Sequence, residues 1–369
     1  MMNIQIPYLD LSIKNQALRK ELLTAVDTVL THGRIILGPE VEEFEEKVAR
    51  CTKRKFSVGV NSGTDALYLG LRSINIGPGD EVITSPLSWI ATFHGITRCG
   101  ATPICIDIGS DQNINPDKIE AAITPRTKAI VVVHFTGKIC EMDQIMKIAT
   151  QYGLDVVEDA AQAFGATYKN EPAGSFGRVS CFSMNPMKIL SSCGEAGAIV
   201  TDDPVLRDKL ISLRYGGTTG DREKCRYISL NSRIDTIQAA MLLVSLKYFD
   251  KKIEKRRTIA KFYREGLKDI VVCPEDPFKG RHCYHTFAIC AERRDELQTY
   301  LTQNGIESKV YHRILMPYQE AYQYLEKYNI QNAERVVSQI LSIPNHEFLT
   351  DEETAYVVKK IKFFYESSG

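Results

Sequence analysis

A chain of 369 residues with 46 basic and 46 acidic side chains has no formal net charge, which argues against nucleic-acid or anionic-membrane partners, since both reward clustered basic excess. Apolar content of 44% and charged content of 25% are those of a soluble globular protein, and the length predicts two domains in place of one small core. No apolar run reaches the ~18 residues of a membrane span, the N-terminus does not read as a signal peptide, and ten scattered cysteines without a CxxC pair read as reduced core residues of a cytoplasmic protein, with no disulfide frame or zinc site.

Residues 13–31 carry a helical pattern, and Gly38-Pro39-Glu40-Val41 opens a second helix through Phe44 and Val48. Phe56 to Val60 is a short strand. It stops at Asn61-Ser62-Gly63-Thr64-Asp65, and a helix follows through Ala66, Leu67, Leu69 and Leu71. After a turn at Gly77-Pro78-Gly79-Asp80, strands are predicted at 81–84, 103–107, 129–133 and 154–158, and helices at 89–98, 116–123 and 141–152. Val179 to Ser183 and Ala198 to Thr201 read as further strands flanking a loop that holds Lys188. Strands alternating with helices, several nearly all apolar, predict an α/β fold with a mostly parallel sheet covered on both faces. A long helix from Thr236 to Leu267 leads into a smaller α/β domain, which divides the chain into a large domain, 1–249, and a C-terminal domain, 250–369.

Several residues in this plan suit chemistry. Lys188 lies in an uncharged segment, Asn185-Pro186-Met187-Lys188-Ile189-Leu190, where burial would lower its pKa and free the amine; the plain alternative is a surface lysine. Asp159 ends an apolar strand beside Glu158, at the sheet edge where ligands of such folds gather, or else simply caps a helix starting at Ala160. A lysine for a Schiff base and an acid for a pyridine nitrogen are what pyridoxal phosphate (PLP) chemistry needs. Ser62-Gly63-Thr64, between strand and helix, can cradle a phosphate, with Ser183 adding a hydroxyl, or can be an ordinary cap. Trp89, the only tryptophan, is core filling on pattern alone or a flat surface for an aromatic ring. His282 and His285 invite a metal, but no third ligand stands at metal-site spacing. Tyr311-His312-Arg313 lines a substrate cleft or is solvated, and Asn231-Ser232-Arg233 reads as a helix entry.

Taken in order, Asn61 to Leu67, Gly77 to Val82, Glu158 to Ala163, Gly174 to Gly177, Cys181-Phe182-Ser183, Lys188, Gly194-Glu195, Asn231 to Arg233 and Ile237 to Ala240 resemble one family. The chain is identified as similar, over nearly its whole length, to the DegT/DnrJ/EryC1/StrS sugar aminotransferases, PLP enzymes of fold type I that aminate nucleotide-linked keto sugars. The resemblance implies that Lys188 is the Schiff-base lysine and proton shuttle, that Asp159 pairs with the pyridine nitrogen, and that Gln162 lies beside the cofactor ring. It places Trp89 in a stacking position, gives the phosphate to Ser62, Gly63, Thr64 and Ser183, and implies a homodimer in which Asn231 reaches the neighbouring site. Gly38 and Pro39 then sit near the substrate entrance, and Tyr311 and His312 in a substrate loop. Glutamate is the implied amino donor, with pyridoxamine phosphate as the intermediate cofactor form and no metal. The chain departs from the family's usual pattern at Phe135-Thr136-Gly137, Met184-Asn185, Met187, Ser191-Ser192-Cys193, Ala196 and Tyr215-Gly216-Gly217. Two rivals remain: a sugar dehydratase on the same fold, against which Lys188 argues because that branch carries histidine there, and a catalytically inactive homologue with a binding role.

Overall fold

The structure, a computed structural model, describes residues 5–220, 223–277, 279–325 and 328–367. Seven strands form one sheet in the order Phe56–Val60, Gly197–Thr201, Val179–Ser183, Asp155–Asp159, Thr127–Val133, Glu81–Thr84 and Thr102–Cys105. All run parallel except Gly197–Thr201, which is antiparallel to both neighbours. Period-two alternation splits the strand residues between two apolar layers. Ile130, Val132 and Val156 pack with Phe44, Ile145, Leu242 and Phe249 on one face. Ala129, Val131 and Val157 pack with Leu67, Ile96 and Leu210 on the other. Burial on both faces is why these strands read as nearly unbroken apolar runs.

Helix ends follow local chemistry. Asn15 accepts a hydrogen bond from the Leu18 amide, Gly33 closes that helix in the left-handed region, and Pro39 starts the next at its first turn. The helix expected over 116–123 is instead two short 3₁₀ turns, Pro116–Lys118 and Glu120–Ala122. Ile123 is already extended (ψ 129°) ahead of Pro125, which leaves too few residues to repay α-helix nucleation.

Helix Thr236–Leu267 runs the full length expected and serves two cores. Leu242, Phe249 and Ile253 join the sheet layer, whereas Ile259, Tyr263 and Leu267 join a C-terminal cluster with Ile289, Leu301, Ile343 and Ile361. The expected division at 249/250 therefore falls inside one continuous helix. Ile6, near the start of the chain, packs into the C-terminal cluster and bridges to Ile306. That cluster encloses the antiparallel pair Phe287–Cys290 and Ile340–Ile343. Of the ten cysteines, all free, Cys51, Cys193 and Cys225 are exposed, which corrects the expectation that they fill the core. Among the described residues, no helix is long and apolar enough to cross a membrane.

The carboxyl ends of the parallel strands all open on one edge, which delivers Asn61 to Gly63, Ser85 to Trp89, His134 to Gly137, Asp159 and, past Ser183, Lys188 to the same region.

Candidate active site

A cavity of about 490 Å³ occupies that edge, closed from the other side by the C-terminal layer. Ser62, Thr64, Trp89, Gln162 and Lys188 line it from the sheet domain, and His285, Lys309, Tyr311 and His312 from the other. Asp159, Gly63 and Ser183 lie behind this lining.

Asp159 is 5% exposed. Its Oδ2 accepts from the Thr92 hydroxyl at 2.7 Å and its Oδ1 from the Ala161 amide at 3.2 Å. No helix follows, only turns through Gly165, so the capping alternative does not apply. Burial raises its pKa, against the pull of those two donors and of the Lys188 charge. A buried carboxylate in that state favours a proton or a cation at its face. Neighbouring Glu158 has a different part. Fully buried, it accepts from the amides of Gly174 (2.8 Å), Phe176 (2.8 Å) and Gly177 (2.7 Å), from Ser180 Oγ (2.8 Å) and from His134 Nε2 (2.9 Å). His134 Nδ1 accepts from the Cys140 amide, which fixes the orientation of the ring. Burial opposes the charge on Glu158, yet the hydrogen bond and charge of His134, with the Gly177 and Gly174 amides, outweigh it and hold the pKa down to about 2. Glu158 fixes the loop after the strand; Asp159 lies close enough to Lys188 for the two charges to interact.

Lys188 has its pKa lowered to about 8 by burial, with the Asp159 and Glu195 charges pulling it back up. Its amine is thus far more available than that of a solvated lysine. Two neutral imidazoles face it across the cavity. Burial drives His285 well down and His312 to about 4, and the Lys188 charge adds to both.

Gly63 starts the helix Gly63–Ser73, and a Cβ there would stand 2.5 Å from Ser183 Cβ, so glycine is needed for this close approach. Ser62 Oγ caps the helix by accepting from the Asp65 amide at 3.1 Å. Helix start, glycine and three hydroxyls together are a set that could hold an anion. Trp89 is 62% exposed and lines the cavity, which overturns the core-filling pattern reading. Gln162 Oε1 accepts from the Thr136 amide at 2.9 Å, which fixes the side chain at the cavity wall.

Three expected residues stand elsewhere in the same chain. Gly38 is buried, its amide donating to Thr236 Oγ1 at 2.9 Å, and Pro39 is exposed at the helix start. Asn231 is exposed and accepts from Arg233 Nε at 2.8 Å. None lines the cavity. His282 stacks on Tyr284 at 3.9 Å in the buried C-terminal layer while His285 lines the cavity, so the two do not converge on a metal. Among the described residues, no group of three or more His, Cys, Asp or Glu could hold a metal ion. The sequence reading missed Thr92 and His285 as site residues. Thr92 carried a usable signal, being four residues beyond Ser88 and three beyond Trp89, at the start of the helix Ala91–Arg98; its Oγ1 lies 2.9 Å from Ser88 Oγ.

The profile of the DegT/DnrJ/EryC1/StrS aminotransferase family matches residues 16–362. The chain belongs to this family. It is 38% identical over 359 residues to a dTDP-3-amino-3,6-dideoxy-alpha-D-galactopyranose transaminase of Aneurinibacillus thermoaerophilus, covering 96% of this chain and 98% of the relative. It is 36% identical to a pleiotropic regulatory protein of Geobacillus stearothermophilus, over 98% of this chain and 99% of that one. The crystal structure of NtdA from Bacillus subtilis with bound pyridoxamine phosphate superposes with a TM-score of 0.93 at 32% identity, covering 98% of this chain and 86% of that one. The protein is an aminotransferase with the α/β fold of PLP enzymes, and PLP is its cofactor. The site suits that group on its own terms. Buried Asp159 accepts from two neutral donors and interacts with the charge of the desolvated Lys188 amine, the exposed Trp89 indole offers a stacking face, and the glycine-dependent helix start can hold an anion.

Proposed function

We propose that this aminotransferase moves an amino group from glutamate to a keto sugar carried on a nucleotide, giving a nucleotide amino sugar. The observation that carries the reading is the placement of Lys188, its amine pKa lowered to about 8, in a cavity of about 490 Å³ that continues past it to Lys309, Tyr311 and His312. An amino acid fills only part of that space. A sugar nucleotide has hydroxyls and charge for the polar residues beyond, and whole-length similarity to a dTDP-sugar transaminase supports the same substrate class.

When bound, PLP supplies an electron sink for charge developing on the reacting carbon. The Asp159 carboxylate would keep the pyridine nitrogen protonated. Lys188 Nζ takes the proton from the donor's Cα and delivers it on the other side of the reacting bond, a transfer that contributes roughly 10²–10⁴-fold. Ser62, Gly63, Thr64 and Ser183 would hold the phosphate, with Trp89 flanking the ring and Gln162 beside it. Tyr311, edge-on to Tyr8 at 5.7 Å, and His312 contact the sugar.

The protein works as a homodimer in the cytoplasm, with the sheet domain (1–249) and C-terminal domain (250–369) enclosing each site. Support for the dimer comes from a surface groove lined by Leu37, Tyr215 and Tyr227, flanked by exposed Ile36 and Ile228, which offers an apolar face. Asn231 serves the partner's site, which accounts for its absence from the cavity of its own chain. Lys188→Ala tests the central assignment: turnover and the visible absorbance of the bound cofactor should both vanish, and full retained activity would refute it. A product that loses oxygen without gaining nitrogen would favour a dehydratase. A colourless protein that takes up no PLP would favour a binding role.

A further inference from the structure

A second cavity, of about 290 Å³, reaches Lys188 from another side. Its lining includes Lys188, Cys193, Lys252, Arg256 and Glu347. That volume is roughly ten times the share of one water and just under the ~300 Å³ floor of ordinary ligand sites. It is large enough for a short acyclic side chain and too small for a whole sugar nucleotide.

The charges in it are unbalanced. Glu347 binds two cations, Lys252 Nζ at 3.3 Å and Arg256 Nη2 at 3.1 Å. One carboxylate between an ammonium and a guanidinium leaves one positive charge over. Arg256 is 3% exposed, and its Nε has no hydrogen-bond partner among the described residues. An unpaired donor on a buried guanidinium is costly, and an acceptor in the cavity would satisfy it. The opposite, Nη1 side of the same guanidinium donates to the carbonyls of Asn345 (2.7 Å) and His285 (3.3 Å), so it is anchored to the wall of the main cavity. Asp10, the other acid on the lining, is occupied by Lys14 at 2.7 Å.

We propose that this second cavity is the subsite for the distal carboxylate of a dicarboxylic amino donor. Lys252 and Arg256 bind the carboxylate, and Glu347 positions them. The inference rests on the aminotransferase reading and adds a site for the donor separate from the sugar's. It also gives Ser191, Ser192 and Cys193, where the chain departs from its family's pattern, a place along the donor's path.

The experiment is the donor half-reaction of the holoenzyme without any sugar, followed by the loss of the cofactor's visible absorbance. L-glutamate is compared with L-norvaline, which has a similar chain but no distal carboxylate. Lys252→Met should lower the ratio of glutamate to norvaline efficiency by roughly tenfold, and Lys252→Arg should restore it. An unchanged ratio in Lys252→Met, or equal loss for both donors with no rescue by arginine, overturns the subsite. So does an unsubstituted enzyme that prefers norvaline. Because no sugar is present, failure of the sugar reading leaves each of these outcomes intact.

Discussion

Glu158→Gln is the sharpest test of how the site is framed. The carboxylate is fully buried and accepts from three amides, one hydroxyl and one imidazole. The fall of its pKa from the ordinary 4.5 to about 2 corresponds to roughly 3 kcal/mol of preference for the charged form in the folded state. A second route gives the same size. The carboxamide NH₂ of glutamine must face a donor wherever it points, and near Oε2 it opposes the Gly174 amide, for about 1–3 kcal/mol of lost bonding. Urea unfolding at pH 7, followed by far-UV circular dichroism, should show the variant less stable by about 3 kcal/mol. A depressed carboxyl pKa adds stability that is fully present above about 4.5 and is lost as pH falls through about 2. The parent should therefore lose stability across that window more steeply than the variant. A difference below about 0.5 kcal/mol at pH 7, or identical acid limbs, would refute the reasoning.

Other predictions follow from single contacts. The Lys188 pKa of about 8 predicts that the apoenzyme captures added PLP faster as pH rises through about 8; a midpoint near the ordinary 10.5 would contradict the burial argument. Trp89→Ala should weaken PLP binding by roughly 3- to 10-fold with little change in urea midpoint, because the indole is 62% exposed and contributes stacking, not core. Gly63→Ala places a methyl 2.5 Å from Ser183 Cβ and should weaken cofactor retention in dialysis against phosphate far more than it lowers Tm.

Much of this architecture was legible in the sequence because burial on both faces turns parallel strands into apolar runs. Ala129 to Val133 and Val156-Val157 were visible for that reason, and the bounds of Thr236–Leu267 emerged from its unbroken helical pattern. The pairing of Asp159 with Lys188 was legible as chemistry, from residue types at the ends of strands. What stayed hidden depends on contacts distant along the chain. Glu158 looked like a companion to Asp159 until its amide partners, 16 to 19 residues on, were in place. Trp89 read as core filling because a local pattern cannot show that the C-terminal layer leaves a cavity above it. His285 drew notice only as half of a histidine pair, yet it meets Lys188 through a layer built from the last third of the chain. The role of Ile6 in the C-terminal cluster rests on a bridge to Ile306, some 300 residues away.

The most direct measurement is mass spectrometry of the products formed from ¹⁵N-labelled L-glutamate and a panel of dTDP-, UDP- and GDP-linked keto sugars. The account predicts a nucleotide amino sugar carrying the label, with 2-oxoglutarate released in equal amount and neither formed by Lys188→Ala. A sugar product without nitrogen, or labelled product formed equally by Lys188→Ala, would contradict it.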